Sequence, residues 1–192
     1  PPAVKSNVNS LNSYGIADTM SLWSNHVQFT AGIRRQQVEA EAFNQVTGAS
    51  ISRYDEGAWS PAYALVVKPL ENVSLYANYI EGLQQGTIVT NNFQNEGQIF
   101  PPFKSEQREA GVKVDWGRFT TTLSAYEIAQ PAQIAIANTP KPIFSIDGEN
   151  RNRGVELNTF GEVLPGLRLL GGVAFMDARQ NKTQNGTNDG KR

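Results

Sequence analysis

The side chains that could do chemistry in this chain are few and far apart. His26 is the single histidine of the sequence, and it falls in the polar run Ser24-Asn25-His26. With no second histidine to complete a ligand set or a proton relay, it reads as a solvated turn residue rather than a metal ligand or general base. The absence of cysteine removes disulfides, thiolate nucleophiles and thiolate metal sites together. Serine and threonine are abundant, but no G-x-S-x-G run offers a nucleophile elbow. Glu39 and Glu41 share one side of an extended segment, a spacing that suits a carboxylate pair; the preferred reading is that they line a polar interior. Arg151 and Arg153 share a side in the same way. They could draw an anion, and a structural place at a rim is expected of them. Phe93, Phe100 and Phe103 lie in the longest unpatterned stretch, where aromatic rings can stack on planar groups of a ligand; the competing account is that the loop packs on itself. Asn181-Lys-Thr183 and Asn185-Gly-Thr187 match a glycosylation sequon, which has meaning only in a eukaryotic secretory pathway. Binding, not catalysis, is the chemistry these residues suggest, and no cofactor is expected.

The elements that must position them are strands. The chain has 192 residues, 39% hydrophobic content, and 17 basic against 18 acidic side chains. That balance leaves no basic stripe, so no nucleic-acid partner is expected. No apolar run approaches the roughly 18 residues of a membrane helix, yet a spanning strand needs only about ten residues of alternating polarity.

Alternation of this kind runs through the chain. Residues 1–18 are polar and read as a lead-in or partial strand, followed by a short strand Thr19–Trp23. Val27, Phe29, Ala31 and Ile33 then alternate with polar partners. Residues 44–59 read as a loop, Ser60–Lys68 and Val73–Ile80 as a hairpin, 81–105 as a long loop. Ser105–Asp115 and Phe119–Tyr126 form the next hairpin, with Trp116 and Phe119 placed for an interfacial aromatic pair. A second long loop spans about 130–149. The clearest hairpin closes the pattern: Val155, Leu157 and Thr159 alternate with Gly154, Glu156 and Asn158, Pro165-Gly166 turns the chain, and Leu167 to Met176 returns. Residues 180–192 read as the end of a polar loop. Short turns near Asn25, Leu70, Gly117 and Pro165 recur roughly every 45 to 48 residues, with long loops at the opposite ends. The predicted fold is all-β: an antiparallel up-and-down meander of about eight strands, apolar on the side that faces lipid and polar on the side that faces a lumen. Lys113, Asp115, Glu156 and Arg168 are placed on the lumen side, since a Lys or Arg facing lipid at mid-depth costs about 2–4 kcal/mol.

Five stretches then resemble, in order, the barrel of TonB-dependent siderophore receptors: Gly32-Ile-Arg-Arg35, Ser60-Pro-Ala-Tyr-Ala-Leu-Val-Val-Lys-Pro69, Asn72-Val-Ser-Leu-Tyr-Ala-Asn-Tyr79, Ser105-Glu-Gln-Arg-Glu-Ala-Gly-Val-Lys113 and Arg151-Asn-Arg-Gly-Val-Glu-Leu157. The resemblance covers residues 19–179. It implies part of a barrel of about 22 strands in the bacterial outer membrane, enclosing a plug and importing ferric siderophores with energy relayed by the TonB complex. Its partners would be the ferric siderophore, the TonB complex reached through the plug, and outer-membrane lipid. Iron would be held by the siderophore's own oxygens, so no metal ligands are required of the protein. Pro1-Pro2-Ala3 at the start and the polar end read as cuts through a longer chain. A sheet without its neighbours is expected to associate through open edges and an uncovered apolar face. Two other classes compete: a soluble carbohydrate-binding β-sandwich, in which apolar faces of two sheets meet, and an outer-membrane barrel enzyme.

Overall fold

A computed structural model describes residues 5–192; the opening Pro1-Pro2-Ala3 lies outside the described residues. Eight strands follow one another: β1 (Asn7–Leu22), β2 (Val27–Phe43), β3 (Ser50–Leu70), β4 (Val73–Gln84), β5 (Phe103–Asp115), β6 (Phe119–Ile136), β7 (Ile143–Leu164) and β8 (Leu167–Lys182). They form one sheet in sequence order, every neighbour antiparallel. No second sheet or helix layer covers either face among the described residues, and none of their side chains is fully buried.

The register explains why this sequence makes this sheet. One row runs Leu22, Val27, Val67, Leu75, Val112, Leu123, Leu157, Val173 across all eight strands. The next row on that face runs Met20, Phe29, Leu65, Ala77, Ala110, Ala125, Val155, Phe175. Both are apolar throughout. The opposite face carries Gln28, Tyr76, Ser124 and Glu156 at the same height. Because side chains alternate with a period of two, a slip of one residue would turn every apolar group to the polar side, so the pattern fixes the pairing. Val27, Val112, Val155 and Val173 therefore share an open surface instead of filling a two-layer core, and Val155 and Val173 are 45% and 48% exposed. That arrangement excludes the β-sandwich.

Short turns sit at one end: Trp23–His26, Glu71–Asn72, 116–118 and Pro165–Gly166. Gly166 takes φ 79°, as the third position of a type II turn after proline demands. Trp116 stacks on Phe119 at 6.0 Å beside the third turn.

Strand lengths differ from the sequence reading in a consistent direction. β1 begins at Asn7 rather than at Thr19, and ends before Trp23, which opens the turn with φ 49°. β3 begins at Ser50, inside the stretch taken as a loop to residue 59. β6 runs to Ile136 and β7 starts at Ile143, so the loop expected over 130–149 shrinks to 137–142. These extensions lie at the end away from the short turns, where neither face is continuously apolar. There the backbone ladder alone holds the strands, and polarity leaves no trace of it.

Candidate functional site

Above the two apolar rows the same face changes character within one register step. The next row reads Asp18, Ala31, Tyr63, Tyr79, Arg108, Glu127, Arg153, Asp177. Ion pairs then crowd this face. Lys104 lies 3.1 Å from Glu81, Arg108 3.3 Å from Glu106, Arg151 2.6 Å from Glu149, and Arg179 2.7 Å from Asp177. Arg153 and Arg151 both reach Glu127. The Arg153 hydrogen bond, against the opposing effect of burial and helped by the charges of Arg151 and Arg153, holds the Glu127 carboxyl below its ordinary value of 4.5. Charged groups at this density mark where hydrocarbon ends and water begins. Arg151 and Arg153 are thus rim residues.

Glu39 and Glu41 need correction. They pair with Asp55 and Arg53 on the apolar face's upward continuation, not on the polar face, so they line no interior. Beyond the apolar rows a strand's two sides differ little in polarity, and counting alternation upward from there loses its meaning. His26 donates its Nδ1 proton to the Trp23 carbonyl at 2.7 Å and fastens the turn. No trio of metal-ligating side chains gathers anywhere among the described residues.

The polar face holds a second feature at membrane depth. The Tyr76 hydroxyl donates to Glu109 at 2.6 Å, and Gln107 donates to the same carboxylate at 3.2 Å. Tyr76 lies flat against Gly111 of the next strand; a methyl group there would come within 2.7 Å of the ring. Glu156 faces Ser124 one strand further on. Neither Glu109 nor Glu156 has an ion-pair partner among the described residues.

At the loop end the structure brings together what the sequence scattered. The 85–102 connection is a folded unit: Ile88 bridges Ile99, and the Val89 amide donates to the Gln98 carbonyl at 2.9 Å. Its root is pinned where the Gly86 amide donates to the Tyr54 hydroxyl at 3.1 Å. Tyr54 is 3% exposed, and burial raises its phenol above 10.0. Its far end is clamped to β7. Asn95 donates to the Phe144 carbonyl at 3.0 Å and accepts from the Phe144 amide at 2.9 Å. Phe93 and Phe100 each place their ring 5.3 Å from that of Phe144, and Phe103 is buried at the start of β5. The three expected aromatics are therefore not free rings: two pack on Phe144, which sequence reasoning passed over because it lies far along the chain, at the start of β7. Phe93 and Phe144 also line a cleft of about 500 Å³ with Asn150, Gln180 and Lys182.

A single antiparallel meander with one lipid-compatible face, a polar opposite face, short turns at one end and built-up loops at the other is the wall of an outer-membrane β-barrel. The family model for the TonB dependent receptor-like β-barrel matches residues 2–192, and the chain belongs to that family of outer-membrane proteins. It is 35% identical to the ferrichrome receptor FcuA of Yersinia enterocolitica over 98% of this chain and 25% of the receptor. Against the crystal structure of BauA, the ferric preacinetobactin receptor from Acinetobacter baumannii, it is 40% identical with a TM-score of 0.85, covering 96% of this chain and 27% of BauA. The ferripyoverdine receptor of the outer membrane of Pseudomonas aeruginosa shares the fold, with a TM-score of 0.73 at 16% identity over 91% of this chain and 23% of the receptor. The chain spans about a quarter of the length of these relatives. These relatives are receptors by name.

Proposed function

We propose that this chain is a wall segment of an outer-membrane receptor that binds a ferric siderophore and passes it inward, without bond-making chemistry of its own. The observation that carries this reading is likeness over nearly the whole chain to two ferric-siderophore receptors at 35% and 40% identity. In it, the loop end supplies the ligand mouth. The cleft lined by Phe93, Phe144, Asn150 and Gln180 offers an aromatic edge beside amide groups, a combination suited to a polar chelate with planar arms. Phe100 and Phe103 act behind it, by holding the loop in place.

The polar wall would meet the rest of the receptor. Glu109 and Glu156, unpaired at membrane depth, call for basic groups from whatever fills the lumen; a plug domain carrying such groups, and the TonB complex acting on that plug, are the partners the family implies. Uptake of iron-55 by a strain deleted for the gene and complemented with the full-length receptor tests the reading. Accumulation with a hydroxamate or mixed-ligand siderophore, lost when TonB is removed, is expected. Uptake no greater than in the deletion strain across a siderophore panel would overturn it.

A further inference from the structure

The tip of the 85–102 loop meets β7 where β7 has run past its neighbour. β8 pairs with β7 only from Glu149 to Leu164, so residues 143–148 have β6 on one side and no β8 partner on the other among the described residues. Phe144 sits opposite Ala135 of β6 and is only 8% exposed, so its backbone polar groups must find partners away from water. The side chain of Asn95 supplies both, donating to the Phe144 carbonyl at 3.0 Å and accepting from the Phe144 amide at 2.9 Å. The two groups point to one side together, as they do in any antiparallel ladder, and Asn95 stands where a β8 residue would have stood. Its amide nitrogen also donates to the Gln98 side chain at 2.7 Å. The group cannot turn over, since the Phe144 carbonyl can only accept and the Phe144 amide can only donate. An aspartate here would lack the donor, and a glutamine would add a methylene to a span already at hydrogen-bonding distance.

The rest of the tip gathers around this point. The Gln94 amide donates to the Pro142 carbonyl at 2.9 Å, and Lys141 donates to the Asn91 carbonyl at 2.6 Å. Two residues before Asn95, Phe93 stands edge-on to Phe144 at 5.3 Å, and these two rings line the cleft of about 500 Å³. The root of the loop is fixed separately, through Gly86 and Tyr54, and its middle by its own bridge between Ile88 and Ile99. We propose that Asn95 is the positioning residue of the ligand cleft: by standing in for the missing strand partner of Phe144, it holds Phe93 against that ring and completes the wall a chelate would touch. Asn95 does not line the cleft; it acts through Phe93. The ligand half of this inference rests on the mouth proposed above.

Two measurements on the full-length receptor test this, and the first needs no ligand. In Asn95→Ala the Gln94 amide, which the Asn95 side chain does not itself bond, should exchange its hydrogen about tenfold faster than in the parent. Unchanged protection at Gln94 would mean that the tip is seated without Asn95, and would overturn the assignment. The second is iron-55 uptake against chelate concentration, with ferrichrome and ferric preacinetobactin, the chelates for which two relatives are named. Asn95→Ala and Asn95→Asp should each raise the half-saturating concentration about tenfold and leave the maximal rate alone. Adding Asn95→Ala to Phe93→Ala should do no further harm, since both remove the same wall. Additive losses, or a parental half-saturating concentration in both Asn95 variants, overturn the positioning role. Heat-modifiable mobility on gels confirms that the variants keep the barrel. Uptake of neither chelate by the parent would sink the proposed function and the ligand half of this inference with it, while exchange at Gln94 still decides whether Asn95 seats the tip.

Discussion

The half of this wall near the short turns and the half near the loops are made from the same strands, yet they are held by opposite means. Near the turns no apolar side chain is buried among the described residues, and Leu123, Val155 and Leu157 stand 43–47% exposed in the sheet by itself. Near the loops lie the four buried hydrophobic side chains found among the described residues, Tyr54, Val89, Phe103 and Phe144. The lower half is satisfied by its solvent, hydrocarbon, which accepts apolar groups but not unpaired backbone. The upper half stands in water and must build its own small core. A strand crossing from one to the other keeps its ladder and exchanges its side-chain rules.

The largest expected effect exposes the lower half to the wrong solvent. The isolated chain has two open edges, β1 and β8, and an apolar face with exposed Phe29, Leu65 and Leu123. In detergent-free buffer it is expected to associate at once. Analytical ultracentrifugation resolving a monodisperse monomer there would break the comparison at its root.

Next comes truncation above against charge insertion below, both in the full-length receptor. Phe144→Ala removes the ring against which Phe93 and Phe100 pack and should cost the 85–102 loop about 3–5 kcal/mol of local stability. Hydrogen exchange at Val89 and Gly97 would report it. Leu123→Ala, facing acyl chains that close over the gap, should cost far less, whereas Leu123→Arg should cost the barrel about 2–4 kcal/mol in urea refolding into lipid. If Leu123→Ala matched Phe144→Ala, the lower face would be packing against protein. Asn95→Ala sharpens the same contrast at a smaller scale: it removes both hydrogen bonds to the Phe144 backbone, worth about 1–3 kcal/mol to the loop and nothing to the barrel.

The same division explains what the sequence could reveal. Where a strand meets lipid, its period of two is written in Val27, Phe29, Ala31 and Ile33, and the meander with its four short turns follows. Above the belt, Arg53, Asp55 and Gly57 pair with Glu41, Glu39 and Gln37, a ladder with no polarity to betray it, so Ser50–Trp59 looks like a loop. The aromatic site was half legible for a related reason. Phe93 and Phe100 could be picked out as rings in a long polar stretch, but Phe144 and Tyr54 join them only through the fold, and no local pattern marks a residue whose partners lie in another loop. The charged belt became legible only once register placed Arg108, Glu127, Arg153 and Asp177 in one row.

The smallest expected effect lies on the boundary itself. Glu127 is held below 4.5 chiefly by the Arg153 hydrogen bond, so its contribution is present while the carboxylate is ionised in both folded and unfolded chains, above the ordinary carboxylate value. It is lost as pH falls through the lowered folded value. Between pH 7 and pH 5, then, the belt should not change, and below about pH 4 it should loosen. Side chains here are a quarter or more exposed, so water and salt limit each pair to about 0.2–1 kcal/mol. Glu127→Gln should abolish that acid-side loss while leaving stability at neutral pH within about 1 kcal/mol of the parent. Refolding at stepped pH reads both numbers. A variant that lost stability at pH 7 as steeply as Leu123→Arg would mean that Glu127 lies within the hydrocarbon, and would move the boundary between the two halves upward by a full register row.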